Sequence, residues 1–131
     1  MRKRGFAEAG RLPLGLPEAA TSAAAGAEGH RARMRQKLLA AGPGALLDHE
    51  LLEMVLFLAL PRRDTKPIAR ALLARFGSFA DAVSAPEAEL RGIEGLGEAG
   101  LSALRIVQGA ALRLSLGAVK ERPVLANWTA L

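Results

Sequence analysis

The residues of this sequence best suited to binding chemistry lie between Leu90 and Leu101, where Gly95-Leu96-Gly97 separates two short stretches with helical spacing. Glycines adopt backbone conformations that other residues disfavour, and the first N–H groups of a helix have no intrahelical acceptor. Such amides, helped by the helix dipole, can hold a backbone phosphate without reading base sequence. The turn therefore offers four candidate DNA-binding residues: Gly95, Leu96, Gly97 and Ala99.

Two short helices joined by a Gly-hydrophobic-Gly turn resemble a helix-hairpin-helix motif. The turn Phe76-Gly77-Ser78-Phe79 is similar to the partner hairpin of a tandem motif, which would then span about residues 68–115. A purely structural interpretation stays open, in which the glycines make a close turn and Leu96 packs into the core. Four glutamates and one arginine between Ser84 and Gly100 give this stretch a charge of −3, which opposes phosphate binding.

Two clusters of basic residues are further candidates for holding phosphates. The first cluster lies on one predicted helix and consists of Arg31, Arg33, Arg35 and Lys37. The second lies in a connector and along the following helix and consists of Arg62, Arg63, Lys66, Arg70 and Arg75, offset by Asp64. Several such contacts to DNA would make affinity fall steeply with salt, because bound counterions are released. An ordinary solvated face is the alternative for both clusters.

Catalytic and metal chemistry find no support in the sequence. The two histidines, His30 and His49, are nineteen residues apart without a nearby second ligand, and the chain has no cysteine. Glu50 and Glu53 flank a leucine-rich helix and are expected to face water. Neither a Gly-x-Ser-x-Gly motif nor a phosphate-binding Gly-Lys-Ser/Thr loop occurs. We therefore expect no enzyme activity, no cofactor and no metal.

The composition predicts one soluble domain with a basic start. Half of the 131 residues are hydrophobic, 24% are charged and the net charge is +5. Residues 1–37 hold eight basic and three acidic side chains, and the remainder holds ten of each. The longest apolar run, Leu51 to Leu60, is too short to cross a bilayer. Without cysteines or a convincing export signal, the sequence fits a cytoplasmic protein with no membrane partner.

The elements that must position these residues are predicted to be helices alone, because Ala, Leu and Arg dominate and β-branched residues are scarce. We expect a compact all-α bundle of five to six short helices over residues 29–117. Residues 1–28 form a disordered leader, and residues 118–131 form a linker and the start of a further domain, with Asn127 as a helix cap. The first helix runs from His30 to Ala41 and ends at Gly42-Pro43.

Capping patterns set the other predicted helix ends. Asp48 caps the second helix, which forms the centre of the core and ends at Pro61. Asp64 or Thr65 caps the third helix, with Pro67 in its first turn and an apolar face of Ile68, Leu72 and Phe76. A short helix from Phe79 to Val83 follows. Ser84 and Glu87 form a capping box for the next helix, and Gly117 closes the last one.

Read in order, five sequence blocks resemble the N-terminal domain of the bacterial RadC family. These blocks are Gly29-His30-Arg31-Ala32-Arg33-Met34-Arg35, Asp48-His49-Glu50-Leu51-Leu52-Glu53, Pro61-Arg62-Arg63-Asp64-Thr65-Lys66-Pro67, Phe76-Gly77-Ser78 and the Gly95-Leu96-Gly97 turn. The match covers about residues 29–124. The resemblance implies a small helical domain that precedes a metal-dependent peptidase-like domain, whose combined motif of His-x-His followed by Ser-x-x-Asp does not occur here, since the sequence has no His-x-His.

Two functions follow from the residues and the resemblance. The first is a sequence-independent DNA-binding module of a DNA-repair-associated protein, which uses the glycine turn and the basic clusters. The second is an interaction or regulatory module that docks on the peptidase-like domain or on another protein, and it predicts an exposed apolar patch.

Overall fold

The computed structural model describes residues 18–121, with side-chain surroundings for residues 25–119. Within this range the chain forms six α-helices and no strand, so the predicted all-α bundle is confirmed. The helices are α1 (Glu18–Ala41), α2 (Asp48–Ala59), α3 (Lys66–Phe76), α4 (Phe79–Ser84), α5 (Glu87–Arg91) and α6 (Gly97–Glu121), with a 3₁₀ turn at Pro43–Ala45 between the first two. None of these helices is both long and apolar enough to cross a bilayer.

The main core lies where α2, α3, α4 and the first half of α6 meet. Its fully buried leucines come from five parts of the chain and are Leu52, Leu56, Leu72, Leu90, Leu96 and Leu104. The leucine-rich α2 is at the centre, as its apolar run predicts. A second small cluster of Met34, Met54 and Phe57 joins α1 to the other side of α2. The bundle thus buries α2 from two directions.

Helix α1 begins at Glu18, twelve residues before the predicted His30, and so includes the last part of the predicted leader. The stretch between them is rich in alanine, which has the highest helix propensity, and this outweighs Gly26 and Gly29. The predicted end is confirmed, since the helix stops at Ala41 and Gly42 takes a φ of +85°. The rest of the leader, and Asn127 in the predicted linker, lie outside the described residues.

Two predicted caps, Asp48 and the Ser84–Glu87 capping box, are wrong. Asp48 is the first residue of α2, and its carboxylate accepts a hydrogen bond of 3.0 Å from the backbone N–H of Phe79 at the start of α4. Ser84 is the last residue of α4, and Pro86 occupies the position before α5, so the Ser84–Glu87 capping box does not form. Ser78 caps α4 through a hydrogen bond from the Asp81 N–H.

Helix α6 passes through Gly117, where the sequence pattern predicts an end, and continues to Glu121. A glycine inside a helix costs about 1 kcal/mol, which flanking leucines and alanines offset. Leu101 and Leu104 are buried in the core, but α6 beyond Val107 has exposed side chains. The second half of α6 therefore extends past the bundle.

Glu50 joins α1 to the start of α2. Its Oε1 accepts a hydrogen bond of 2.9 Å from the backbone N–H of Leu47, and its carboxylate lies 3.0 Å from Lys37 Nζ. These two contacts, the N–H of Leu47 first, lower the pKa of Glu50 below its ordinary value of 4.5. A carboxyl whose folded pKa is lowered stabilises the fold above its unfolded pKa, and this stability disappears as the pH falls through the folded pKa.

Glu50→Gln is therefore expected to lower the free energy of unfolding near neutral pH, with a difference from the wild type that decreases as the pH falls below the ordinary carboxyl pKa of 4.5. Urea unfolding followed by circular dichroism at several pH values measures this difference. Glu98→Gln is the matched control, because Glu98 is exposed and forms no ion pair among the described residues. A difference for Glu50→Gln that did not change between pH 7 and pH 3 would contradict the assignment.

Candidate nucleic-acid interface

The turn between α5 and α6 has the geometry that its glycines predict. Gly95 and Gly97 have φ values of +85° and +63°, which side chains with a Cβ rarely adopt. Leu96 between them is only 1% exposed and belongs to the main core. It also packs onto α6, because a Cβ built on Gly100 would lie 2.6 Å from Leu96 Cδ1. Leu96 thus anchors the turn and has no side-chain surface to offer a ligand.

Three consecutive residues at the start of α6 have unpaired backbone amides in the described part of the chain. Gly97, Glu98 and Ala99 are exposed, and their N–H groups make no hydrogen bond among the described residues. The first amide to find a helical acceptor is that of Gly100, which donates to the Leu96 carbonyl at 3.1 Å. These are the unpaired donors that a phosphate would need.

The connector between α2 and α3 lies directly beside this turn. Arg63 donates a hydrogen bond of 2.7 Å from its guanidinium to the Gly95 carbonyl, across 32 residues of sequence. The side chain of Arg63 also approaches the site where a Cβ of Gly95 would be, with 3.5 Å between them. The second basic cluster and the glycine turn, separate in the sequence, are therefore adjacent in the fold.

Arg31 of α1 holds the connector from its other side. Its guanidinium donates to the Pro61 carbonyl at 2.6 Å and to the Arg63 carbonyl, and it lies over the Phe57 ring at 4.9 Å from the centroid. Together, one ring contact and two carbonyl contacts fix the orientation of this side chain. The single side chain of Arg31 thus connects α1, α2 and the connector.

Four of the predicted basic residues line one open depression. They are Arg31, Arg62, Arg63 and Lys66. Arg62 and Lys66 are exposed, and their side chains form no ion pair among the described residues. The acidic Asp64 of this depression accepts a hydrogen bond of 3.2 Å from the Lys66 backbone N–H and so helps to begin α3. Thr65 occupies the cap position without a side-chain hydrogen bond.

The depression continues in two directions. Arg63 and Asp64 also line a second hollow that reaches Gly95 at the turn, together with Glu94. Lys66 also lines a third hollow, which reaches His49 and Arg70. The three hollows share lining residues and together reach from Gly95 in the turn to His49 at the start of α2.

The other predicted basic residues point elsewhere or are paired. Arg35 lies 2.9 Å from Glu28, and Lys37 is bound to Glu50. Arg33 is exposed but lines none of the three hollows. Only Arg31 of the first cluster lines the depression, because Arg33 lies on another side of α1 and Arg35, one helical turn further along the same side, pairs with Glu28.

The acidic character of the hairpin is smaller in the fold than in the sequence. Glu87 lies 3.2 Å from Arg91, and Glu89 lies 3.1 Å from Arg75 of α3. The second of these pairs joins residues 14 positions apart, so local sequence does not indicate it. Glu94 and Glu98 are the glutamates that stay unpaired beside the turn within the described part of the chain.

One polar pair at this surface was not predicted. The Glu53 carboxylate is buried, although its position in the sequence predicts exposure, and its Oε1 lies 2.9 Å from His30 Nε2. The prediction is wrong because α1 covers this side of α2. A glutamate inside the apolar run of α2 is the sequence signal that could have indicated a buried partner. Among residues 25–119 no group of three potential metal ligands occurs.

Comparisons with known proteins find relatives but no family model and no solved structure that matches the chain. The chain is 50% identical over 98 residues to a UPF0758 protein of Rhodobacter capsulatus, covering 75% of this chain and 46% of the relative. It is 43% identical over 102 residues to a UPF0758 protein of Ruegeria pomeroyi, covering 78% and 46%. UPF0758 is the RadC family that the sequence resembles. The chain spans about half the length of these curated relatives.

Proposed function

We propose that this chain is the helical N-terminal domain of a RadC-type protein and that it binds nucleic acid through backbone phosphates, without sequence preference and without catalysis. The observation that carries the proposal is the hydrogen bond between Arg63 and Gly95, which joins the basic connector to the glycine turn. It places the basic connector beside Gly95, and the free amides follow Gly95 by two to four residues.

The two kinds of donor suit the two needs of phosphate binding. The amides of Gly97, Glu98 and Ala99 supply short, fixed hydrogen bonds at a helix start. Arg62 and Lys66 supply mobile positive charge that is not committed to an acidic partner in the described structure. Neither kind reads a base edge, so the proposed binding is independent of sequence.

The test is a fluorescence anisotropy titration of labelled single-stranded and double-stranded DNA at low salt. The variant Arg62→Ala with Lys66→Ala is expected to bind roughly 10- to 100-fold more weakly than the wild type. The slope of log affinity against log salt should also fall by about 2 for duplex DNA, because two phosphate contacts are lost. Neither side chain forms a hydrogen bond or an ion pair among the described residues, so the variant should fold normally.

The matched control is Arg33→Ala with Arg113→Ala, which removes the same charge. These two arginines are exposed, form no ion pair among the described residues and line none of the three hollows. The control should keep most of the wild-type affinity and salt slope. If the wild type fails to bind either form of DNA at low salt, or if both double variants lose affinity equally, the proposed function is wrong.

A second candidate is a docking domain for a peptidase-like domain of the RadC type or for another protein. It is favoured by the exposed apolar side chains of α6 beyond the core, which are Ile106, Leu112, Leu114, Leu116 and Val119. Leu112, Leu116 and Val119 recur with spacings of four and three and so lie on one side of the helix. The titration separates the two candidates, since this one requires no affinity for DNA.

A further inference from the structure

We infer that Arg31 and Arg63 are positioning residues for the proposed nucleic-acid surface, which hold the glycine turn and the connector in register and do not themselves act as the phosphate ligands. The inference rests on the proposed function for its effect on affinity. Its structural part, the control of the turn by a helix far away in the sequence, stands on hydrogen bonds alone.

Two sets of hydrogen bonds link α1 to the glycine turn, and we call them the relay. The first set joins α1 to the connector. Arg31 donates to the carbonyls of Pro61 and Arg63, so one planar guanidinium fixes two points of a segment that has no regular secondary structure. A guanidinium presents several donors in a rigid fork, whereas a lysine ammonium is a compact charge on a flexible stem. Phe57 fixes the plane of the guanidinium from below. Lysine at position 31 would keep the charge but lose this geometry.

The second set joins the connector to the turn. Because the Arg63 carbonyl is held by Arg31, the backbone from which the Arg63 side chain extends is fixed, and that side chain donates to the Gly95 carbonyl. Gly95 precedes the three free amides by two to four residues. The position of these amides relative to Arg62 and Lys66 therefore depends on two arginines that already use donors within the protein.

This division of labour predicts two different responses to substitution. Loss of Arg62 or Lys66 removes charge, so it changes both the affinity and its salt dependence. A change of Arg31 or Arg63 to lysine keeps the charge, so it changes the affinity through geometry while the salt slope stays the same. A residue that served only global stability would leave the affinity of the folded protein unchanged.

The experiment compares Arg31→Lys and Arg63→Lys with the wild type at a temperature where circular dichroism shows each variant to be folded. We expect faster hydrogen exchange of the Gly100 amide, which is the first hydrogen-bonded amide of α6, and shifted amide resonances from Gly95 to Ala99, without DNA present. In the anisotropy titration we expect about tenfold weaker DNA binding with an unchanged salt slope. Arg113→Lys on α6 is the control for the substitution itself and should match the wild type in every readout.

The outcomes separate this inference from the proposed function. If hydrogen exchange and amide resonances at the turn were unchanged in both lysine variants, the inference would be overturned, whatever the measured DNA affinity. If exchange and resonances at the turn changed in the lysine variants but the wild type did not bind DNA, the structural relay would be supported. The proposed function would be overturned. Perturbed amides with wild-type affinity would show that the relay does not position the binding surface, and this would also overturn the inference.

Discussion

Replacing Leu96 by alanine is expected to lower the free energy of unfolding by about 3 kcal/mol, the middle of the range for a fully buried leucine. Leu96 is 1% exposed and packs against α6 so closely that position 100 has room only for glycine. Removing its side chain leaves a cavity at the point where the turn meets the core. Urea unfolding followed by circular dichroism measures the change at pH 7.

The same substitution at Leu112 gives the control for this prediction. Leu112 lies on α6, after the turn, and is 60% exposed, so its truncation should change the unfolding free energy by no more than about 0.5 kcal/mol. If Leu96→Ala and Leu112→Ala proved equally destabilising, Leu96 would not be the anchor of the turn. The comparison tests the effect of burial, because the residue type and the substitution are the same.

The role of Leu96 shows why two interpretations of the glycine turn are compatible. The structural interpretation describes the side chain of Leu96, which is in the core. The phosphate-binding interpretation concerns the backbone of the three residues that follow, whose amides are free. A buried anchor makes these donors rigid, and rigid donors lose less entropy on binding a ligand.

Local patterns in the sequence predict the helices well in this chain. Gly42-Pro43, Pro61 and Gly77-Ser78 mark ends that the structure confirms, because proline and glycine act on the backbone within one or two residues. Other predicted ends are wrong. Helix α1 begins well before His30, the Ser84–Glu87 capping box does not form, and Gly117 does not end α6. Asp48 binds the Phe79 N–H at the start of α4 and does not cap its own helix.

The candidate surface is less accessible to sequence reasoning than the fold. The spacing of Arg31, Arg33 and Arg35 predicts one basic helix, but it does not indicate that Arg31 reaches carbonyls 30 and 32 residues away. Arg75 likewise pairs with a glutamate 14 residues away and reduces the charge of the hairpin. Such contacts depend on how helices pack, which periodicity within one helix cannot specify.

His30→Ala is expected to lower the free energy of unfolding by about 2 kcal/mol, because it leaves the buried Glu53 carboxylate without its partner. The pair joins α1 to α2 at 2.9 Å, where the glutamate side chain is 9% exposed and the histidine side chain 31% exposed. Since the penalty comes from the orphaned carboxylate, adding Glu53→Leu to His30→Ala should restore most of the lost stability. Thermal and urea unfolding of the two variants measure this.

His49→Ala provides the comparison, because His49 is exposed, lines the same hollow and forms no hydrogen bond to Glu53 among the described contacts. Its effect should stay within about 0.5 kcal/mol. Equal losses at His30 and His49 would show that the Glu53 contact does not stabilise the fold. If the double variant His30→Ala with Glu53→Leu were less stable than His30→Ala alone, Glu53 would have a second favourable contact. Leucine at position 53 would then remove that contact.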